Sequence, residues 1–528
     1  MNLNNNLSEL ERGDYQTPND FALKICEYIK ENRDINPNVI IEPTCGIGNF
    51  MDASINTFNN VKKVYGIEID KNYFDVVSSK FDKYIKYELQ LFNENVFEFN
   101  FEDIKKNINN NERILIIGNP PWVTNSQLES IESVNLPNKE NLKNLGGFDA
   151  LTGKSNFDIS EYIILKLIES FQNTNTTIAM LCKNTVIRNI VRDVSKLNYN
   201  INNIEMVSFN SKDVFGISCE ASLLLLDISD ELEAKCDVYN IDESREIVKS
   251  FGWDKNTNSF VSNIDEYSET SQIDGECILE WRQGIKHDCS KIMQLSKNND
   301  IYVNGNHEQL DVEDTYIYPM LKSSDIKKEI INDTRKYVIV TQRKVGEDTK
   351  IIEYKSPKLW RYLVENGEFL DKRKSSIYKK APRFAIFGVG DYSFSTYKVC
   401  ISGFYKEPKI ALAYSENLQP IMLDDTCYFL SFDNKCDALI TTVLLNSNLV
   451  NNFLKSIAFL DSKRPYTKEI LKRIDIKKVY ENINYEKFNE IKNNLDIKEH
   501  VSLDEYKKYI YVVSNEKELV DEVAITTK

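Results

Sequence analysis

The chain has 528 residues, of which 41% are hydrophobic and 28% charged, and its formal net charge at pH 7 is −15. This length allows several globular domains, and the sequence contains no apolar run of about 20 residues that would predict a membrane-spanning helix. The N-terminus lacks the apolar core of a signal peptide, and the ten cysteines include no Cys-x-x-Cys pair. We therefore expect a cytoplasmic protein with reduced thiols, no membrane association and no metal site.

The N-terminal part of the sequence predicts a short disordered tail, residues 1–11, and then a helix that begins near Phe21. A Tyr-Gln-Thr-Pro segment precedes this helix. Thr17 is a residue type that caps helices, and Pro18 suits the first helical position.

The next segment predicts a buried strand, a tight turn and the start of a helix. The apolar run 39–41 leads into Glu42-Pro43-Thr44-Cys45-Gly46-Ile47-Gly48, and the glycines allow positive φ and close approach of a ligand to the backbone. A second strand ends at Glu68, about 20 residues further on, where doubly wound folds place an acid on a ribose diol. The pattern predicts a nucleotide-like ligand, with an ordinary strand–helix turn as the alternative.

A third strand-like run, 113–118, ends in the tetrapeptide Asn119-Pro120-Pro121-Trp122. Each proline fixes its own φ and restricts the residue before it. The side-chain oxygen of Asn119 and the carbonyl of Pro120 are therefore predicted to be two rigidly held acceptors. Two such acceptors can hold an amino group, and the indole can stack on the ring that carries it. We call this tetrapeptide the hook.

In this order, the motifs resemble those of the Taq-type (γ-class) amino-methyltransferases of DNA, most often N6-adenine methyltransferases of bacterial restriction–modification systems. The resemblance covers residues 12–230 and is weaker beyond, where such enzymes carry a variable recognition domain. Residues 12–230 alternate apolar strand runs with amphipathic segments, which predicts an α/β fold with a doubly wound, Rossmann-like methyltransferase domain, and the acidic residues 231–280 predict a connector with some strands. An α+β target-recognition domain (281–437) and a C-terminal segment (438–528) that is helical by its apolar period would follow.

The resemblance implies S-adenosyl-L-methionine as the cofactor. The family's Tyr/Thr-Pro element closes over the methionine end, Glu68 would hold the ribose hydroxyls, and Ile69 would pack on the adenine. Where the family usually has an Asp-Phe pair, this chain has Asn95, which can accept from the adenine amine without a charge; the alternative is a loop-end cap. The residues expected at the cofactor are Tyr15, Thr17, Glu42, Pro43, Cys45, Gly46, Gly48, Phe50, Glu68, Ile69, Asn95 and Asn119.

The resemblance also implies that the target base leaves the duplex and that Asn119, Pro120 and Trp122 are the catalytic residues. Trp122 and Phe215 would stack on the base, with Phe209 as second choice and a core phenylalanine as the alternative for Phe215. Asparagine at the first hook position favours N6-adenine. N4-cytosine, an RNA amine and a protein glutamine remain alternatives, as does a non-enzymatic specificity subunit. No cysteine follows a proline, which argues against C5-cytosine chemistry.

The acidic net charge conceals a basic segment. Residues 335–410 hold 17 Lys and Arg against 8 Asp and Glu, with aromatic residues interleaved. Such a local excess is typical of a DNA-facing surface. A second basic turn lies at 463–468, with a plain exposed turn as the alternative. The residues expected to contact DNA are Arg343, Lys344, Arg373, Lys374, Lys379, Lys380, Arg383, Lys463 and Arg464.

We expect double-stranded DNA as the partner and a monomer, since one γ-class chain holds both the catalytic core and the reader. A separately encoded restriction endonuclease is a further partner that the resemblance allows. Few residues precede Tyr15, so we expect no nuclease domain there and methylation without cleavage. The polar segment 123–157, which directly follows the hook, predicts a mobile loop that orders on DNA. The run 182–184 is expected to line the rim of the same site.

Overall fold

The computed structural model describes residues 16–82, 84–124, 158–197, 199–299 and 301–514. The chain divides into two compact units, Met1–Asp265 and Glu266–Lys528. Tyr15, the predicted tail 1–11 and residues 125–157 of the predicted loop lie outside the described residues. Within the described ranges, no helix is both long and apolar enough to cross a membrane.

The first unit is built on a ten-stranded sheet with the spatial order β10-β9-β8-β6-β7-β5-β4-β1-β2-β3. In chain order the strands are β1 (Val39–Glu42), β2 (Lys63–Ile67), β3 (Glu88–Phe92), β4 (Ile114–Gly118), β5 (Thr176–Lys183), β6 (Ile201–Ser208), β7 (Ala221–Ile228), β8 (Lys235–Asn240), β9 (Lys249–Asp254) and β10 (Ser259–Val261). Strands β1 to β5 are mutually parallel, whereas β7 runs antiparallel to β5 and β6. Every residue of β1 and β4 is buried, as expected for strands covered on both faces.

Helices connect these strands and cover the sheet. They are α1 (Asn19–Arg33), α2 (Asn49–Thr57), α3 (Lys71–Phe81), α4 (Glu102–Lys105), α5 (Ile159–Ser170), α6 (Asn184–Leu197) and α7 (Ser211–Phe215), while α8 (Ile264–Ser268) spans the division between the units. Asp70 caps α3 by accepting from the backbone N–H groups of Asn72 and Tyr73, and Asp158 caps α5 by accepting from that of Ser160. These caps satisfy amides that a helix start leaves without intrahelical partners.

The segment predicted as a connector with some strands, 231–280, contains three strands of the first sheet. Residues 235–261 form β8, β9 and β10, which extend the sheet beside β6 within the first compact unit. The physical reason is visible in β8, where Cys236 and Val238 are buried while Lys235 and Asp237 are half-buried. This alternation is that of a strand with one covered face.

The second unit contains two sheets, with the orders β11-β21-β18-β19-β16 and β14-β13-β12-β17-β15-β20. The strands are β11 (Arg282–Gln283), β12 (Gln294–Asn298), β13 (Ile301–Asn304), β14 (Gln309–Leu310), β15 (Ile317–Leu321), β16 (Ile330–Ile331), β17 (Lys336–Ile339), β18 (Tyr397–Ser402), β19 (Ile410–Ala413), β20 (Met422–Leu423) and β21 (Cys427–Phe432). The helices are α9 (Ser290–Met293), α10 (Ile351–Lys355), α11 (Pro357–Glu365), α12 (Gly367–Asp371), α13 (Lys435–Leu445), α14 (Asn448–Ile457), α15 (Lys468–Leu471), α16 (Ile476–Asn482), α17 (Tyr485–Asn494), α18 (Leu503–Lys508) and α19 (Ile510–Val513).

The C-terminal helices belong to the same compact unit as the two sheets. Helix α13 packs against β18, β19 and β21, and its residues from Ala438 to Leu445 are buried. The apolar period that predicts this helix from sequence therefore serves the core of the second unit. The predicted α/β class, with a large parallel core sheet, a mixed α and β second half and a helical C-terminal region, is confirmed.

Candidate active site

The predicted motifs meet at one edge of the first sheet. Strand β1 lies between β2 and β4, with Glu42 paired to Gly66 and Ile41 paired to Ile116. Because these strands are parallel, their carboxyl ends reach the same edge, where ligands bind in open α/β sheets. The glycine-containing turn follows β1, Glu68 follows β2 and the hook follows β4, so three segments distant in sequence become neighbours.

The turn after β1 requires its glycines for both conformation and space. Gly46 has a φ of 50° and Gly48 a φ of 73°, a region that other residues rarely adopt. A Cβ atom on Gly46 would lie 2.8 Å from the Gln16 side chain, and one on Gly48 would lie 2.7 Å from Val77 and Phe81. The turn is thus packed closely between the segment before α1 and helix α3.

Two buried carboxylates support this turn. Glu42 accepts from the backbone N–H of Met51 at 3.0 Å, and burial raises its pKa well above the usual range. Glu68, which is 8% exposed, accepts from the N–H of Gly46 at 2.8 Å through Oε2 and from that of Asp70 at 2.7 Å through Oε1. Two backbone amides therefore fix the Glu68 carboxylate at the end of β2, beside the glycine turn.

The surroundings of the turn fit the predicted cofactor. Ile69 leaves 47% of its surface exposed directly after the buried acid, so it offers an apolar platform for a planar ring. The Thr44 hydroxyl is buried without a hydrogen-bond partner among the described residues, which is the environment of a group that a ligand would satisfy. Three other predicted cofactor residues, Pro43, Cys45 and Phe50, are buried and shape the turn from beneath.

The loop after β3 shows that the capping alternative for Asn95 is present. Its Oδ1 accepts from the backbone N–H of Phe97 at 3.0 Å. The neighbouring Asn93, which the sequence did not single out, donates from Nδ2 to the carbonyls of Glu68 at 2.8 Å and Ile69 at 3.2 Å. Asn93 therefore ties this loop to the end of β2 and keeps Asn95 near the predicted adenine platform.

The hook is held by hydrogen bonds from both of its polar side chains. The Nδ2 atom of Asn119 donates to the Thr17 hydroxyl at 3.2 Å, and the indole N–H of Trp122 donates to the Leu181 carbonyl at 3.2 Å. Trp122 is only 5% exposed, and the side chain of Pro120 is buried. The Thr-Pro segment that was predicted at the cofactor thus also contacts the hook.

The side chains of Trp122 and Phe215 lie together, as the sequence predicts, and their rings contact each other directly. Their ring centroids are 5.2 Å apart with an interplanar angle of 74°, an edge-to-face pair. Phe209 and Phe21 extend the cluster, with their centroids 4.9 Å apart. Sequence reasoning missed Phe21, since an aromatic residue in an amphipathic helix predicts only core packing.

The rim beside the hook carries an ion pair. Lys183, at the end of β5, donates to Asp158 at 2.7 Å, and the same carboxylate caps α5. Nearby, Asn189 donates to Glu161 at 2.8 Å, and burial raises the pKa of Glu161 to about 7. Of the predicted rim residues, Cys182 is fully buried, so Lys183 is the one whose charge reaches this edge.

The basic residues of the second unit divide into two groups. Arg373 donates to three backbone carbonyls, those of Leu370 and Ala385 at 2.7 Å and that of His287 at 3.2 Å. Other predicted DNA contacts are partly engaged: Arg383 pairs with Asp371, Arg464 donates to the Asp425 carbonyl, and the guanidinium of Arg343 lies over Phe394. The exposed lysines of the predicted set are Lys344, Lys374, Lys379, Lys380 and Lys463.

Comparison with known proteins agrees with this geometry. The chain is 40% identical over 476 residues to the Type II methyltransferase M.NspV of Nostoc sp. (strain ATCC 29411 / PCC 7524), an alignment that covers 89% of this chain and 97% of that protein. No protein-family model matches the sequence.

Among solved structures, the Type IIL restriction–modification enzyme MmeI in complex with DNA aligns with a TM-score of 0.52 at 14% identity, over 97% of this chain and 74% of that chain. A type I restriction–modification methyltransferase subunit from Streptococcus thermophilus aligns with a TM-score of 0.32 at 11% identity, over 49% of this chain and 59% of that chain. The likeness to MmeI concerns the fold. The sequence identity to M.NspV extends over nearly the whole of both proteins, and the chain therefore belongs to the Type II methyltransferases of restriction–modification systems, which take their methyl group from S-adenosyl-L-methionine.

Proposed function

We propose that this protein methylates the N6 amino group of an adenine within a specific sequence of double-stranded DNA, as the modification enzyme of a restriction–modification system. The observation that carries the proposal is the position of the hook. Asn119 and Pro120 follow β4 at the sheet edge that also holds the glycine turn and Glu68. Asparagine at the first hook position, in the family that the motifs resemble, favours adenine over cytosine.

The cofactor is assigned to residues whose chemistry matches its parts. When bound, S-adenosyl-L-methionine supplies an electrophilic methyl group on a sulfonium. Glu68, held beside the glycine turn, accepts from the ribose hydroxyls, while Ile69 covers one face of the adenine. The Thr44 hydroxyl and the backbone of the glycine turn hold the methionine part. Asn95 keeps a second lone pair on Oδ1 for the adenine amine, beside the one that Phe97 uses.

The hook acts by positioning and by a preformed polar environment. Asn119 Oδ1 and the Pro120 carbonyl accept hydrogen bonds from the two N–H groups of N6. These bonds draw the nitrogen lone pair out of conjugation with the ring. The nitrogen then becomes a better nucleophile, and the methyl group passes to it directly, with no covalent enzyme intermediate. The proton leaves with or after transfer, so the mechanism requires no strong general base.

The aromatic pair exchanges its contact when the base enters. An edge-to-face pair such as Trp122 and Phe215 contributes about 0.5–1.5 kcal/mol, whereas stacking a base on an aromatic side chain contributes about 1–3 kcal/mol. Stacking on Trp122 therefore offsets the loss of its contact with Phe215 when the base, whose extrusion from the duplex costs a few kcal/mol, enters the site.

The second unit is assigned to DNA recognition. Its exposed lysines, among them Lys374, Lys379 and Lys380, neutralise phosphates within the basic segment 335–410. Arg373 is left out of this set because its donors are used by the protein's own backbone. We further propose that the enzyme is a cytoplasmic monomer that methylates without cleaving, alongside a separately encoded restriction endonuclease.

The proposal is tested by digesting DNA to nucleosides after incubation with the purified protein and S-adenosyl-L-methionine. We expect N6-methyladenine to be the methylated nucleoside. N4-methylcytosine instead would make the enzyme a cytosine methyltransferase and refute the assignment of the base. Transfer to RNA or to a protein glutamine, with unmodified duplex DNA, would refute the assignment of the substrate.

A further inference from the structure

A chain of hydrogen bonds joins the glycine turn to the hook through Thr17. Asn49, the first residue of α2, donates from Nδ2 to the Thr17 carbonyl at 2.8 Å. On the opposite side of its amide, Asn49 Oδ1 accepts from Lys80 Nζ at 3.1 Å. Thr17 is 6% exposed, and its hydroxyl accepts from Asn119 Nδ2 at 3.2 Å. The path Lys80–Asn49–Thr17–Asn119 therefore crosses from helix α3 to the end of β4.

The chemistry of the partners fixes the direction of the first two bonds. A backbone carbonyl can only accept and an ammonium group can only donate. The Asn49 amide is thus oriented without ambiguity, with its nitrogen towards Thr17 and its oxygen towards Lys80. Lys80 is itself held over the turn, with the carbonyls of Ile47 at 3.4 Å and Gly48 at 3.5 Å and the carboxylate of Asp52 at 3.8 Å.

The hydrogen bond from Asn119 to Thr17 matters for the chemistry because it orients the side-chain amide of Asn119. With Nδ2 of Asn119 directed at the Thr17 hydroxyl, Oδ1 lies on the opposite side of the amide, as its proposed role as acceptor requires. A shift of Thr17 would let the amide rotate, and misplacement by about 1 Å can cost about 100-fold in rate.

We propose that Asn49, held by Lys80, is a positioning residue for methyl transfer: it fixes the Thr17 segment and thereby the orientation of the Asn119 amide. This inference rests on the proposed role of Asn119 in the hook. Neither Asn49 nor Lys80 contacts the reacting atoms in this account. Their effect on the rate passes through Thr17. Substitutions at Thr17 can therefore separate this effect from a general loss of stability.

The first test compares substitutions at Asn49 at saturating S-adenosyl-L-methionine. Asn49→Ala should lower kcat between about tenfold and 100-fold and leave KM for DNA within about twofold. Asn49→Asp keeps the shape and the contact with Lys80 but turns an acceptor towards the Thr17 carbonyl, so it should be as slow as Asn49→Ala. An Asn49→Asp enzyme with wild-type kcat would overturn the inference. Asn32→Ala is the matched control, since Asn32 donates to the Tyr28 carbonyl within the same helix that Thr17 precedes.

The second test asks whether the effect passes through the Thr17 hydroxyl. Thr17→Val removes Oγ1 but keeps the backbone carbonyl that Asn49 contacts. In this background, Asn49→Ala should change kcat by less than about twofold, because residues that act in one path are not additive. If the two effects multiply instead, Asn49 acts independently of Thr17 and the inference fails. Lys80→Met should slow the enzyme, and Lys80→Arg, which restores a donor, should recover most of the rate.

Hydrogen exchange supplies a readout that does not depend on activity. Asn49→Ala should speed amide exchange in a peptide covering residues 16–24. Asn32→Ala should not affect exchange in the N-terminal part of that peptide. Unchanged exchange in Asn49→Ala would overturn the proposed tie. If Asn119→Ala methylates normally, the proposed function fails whatever Asn49 does; if Asn119→Ala is inactive and Asn49→Ala has wild-type kcat, this inference alone fails.

Discussion

Replacing Arg373 by alanine should loosen the second unit without weakening its electrostatic contact with DNA. The guanidinium donates to the carbonyls of Leu370, Ala385 and His287, and it lies 3.7 Å from the ring centroid of Tyr378. A hydrogen bond to a charged group contributes about 1.5–3 kcal/mol, and a cation–π contact about 0.5–1 kcal/mol or more. Because the three bonds share one half-buried side chain and are not additive, we expect a local loss of about 3 kcal/mol.

Native-state hydrogen exchange measures this loss where it occurs, without assuming that a chain of this size unfolds in one step. In the Arg373→Ala protein, peptides covering residues 366–390 should exchange about 100-fold faster, since about 1.4 kcal/mol corresponds to a factor of ten. Lys374→Ala is the matched control, because this neighbouring lysine is exposed. Wild-type exchange in Arg373→Ala, together with a weaker salt dependence of DNA binding, would refute the reasoning and make Arg373 a phosphate contact.

Three further predictions follow from the site and the second unit. Glu68→Gln should weaken S-adenosyl-L-methionine binding by about tenfold or more in calorimetry, because a charged acceptor becomes a neutral one. The affinity for DNA should stay unchanged. An unchanged affinity for the cofactor would contradict the assignment of Glu68 to the ribose. Lys379→Ala and Lys380→Ala should each reduce, by about one, the slope of the logarithm of the DNA-binding constant against the logarithm of the salt concentration. Slopes equal to the wild-type slope would contradict contact of these lysines with phosphates. Burial lowers the pKa of His287 to about 4, so the folded protein binds fewer protons than the unfolded chain between about pH 6.5 and pH 4. The free energy of unfolding should therefore fall as the pH falls through this range, by up to about 3 kcal/mol. His287→Gln should flatten that part of the pH profile of unfolding, and an unchanged profile would show that other groups cause it.

The sequence predicted the sheet edge well because its signals are local. The two glycines have positive φ, Glu68 follows β2 and the hook follows β4, and each of these patterns reports on a few consecutive residues. Parallel strands then bring the ends together without further information. The same reasoning could not find Asn49, since an asparagine after a glycine turn looks like an ordinary helix start until Thr17 and Lys80 are placed around it.

The basic segment shows the limit of counting charges. Arg373, Lys379 and Lys380 contribute equally to the local excess, yet only Arg373 donates to three carbonyls, one of them 86 residues away in sequence at His287. Which cation a protein uses for its own backbone depends on tertiary contacts that composition does not encode. Strands within 231–280 could be predicted from the sequence, but not that those of 235–261 extend the first sheet beside β6, since that pairing is also a tertiary contact.

Single-molecule methylation sequencing of plasmid DNA, taken from a methylation-free host that expresses this chain, tests whether the protein uses the hook to methylate adenine in DNA. We expect N6-methyladenine at one sequence motif, and its loss when the host expresses Asn119→Ala, although that variant still binds S-adenosyl-L-methionine. Unmodified DNA from the wild-type protein would contradict the claim. So would an Asn119→Ala enzyme that keeps more than about a tenth of the wild-type rate, since that corresponds to a loss of only about 1.4 kcal/mol of transition-state stabilisation.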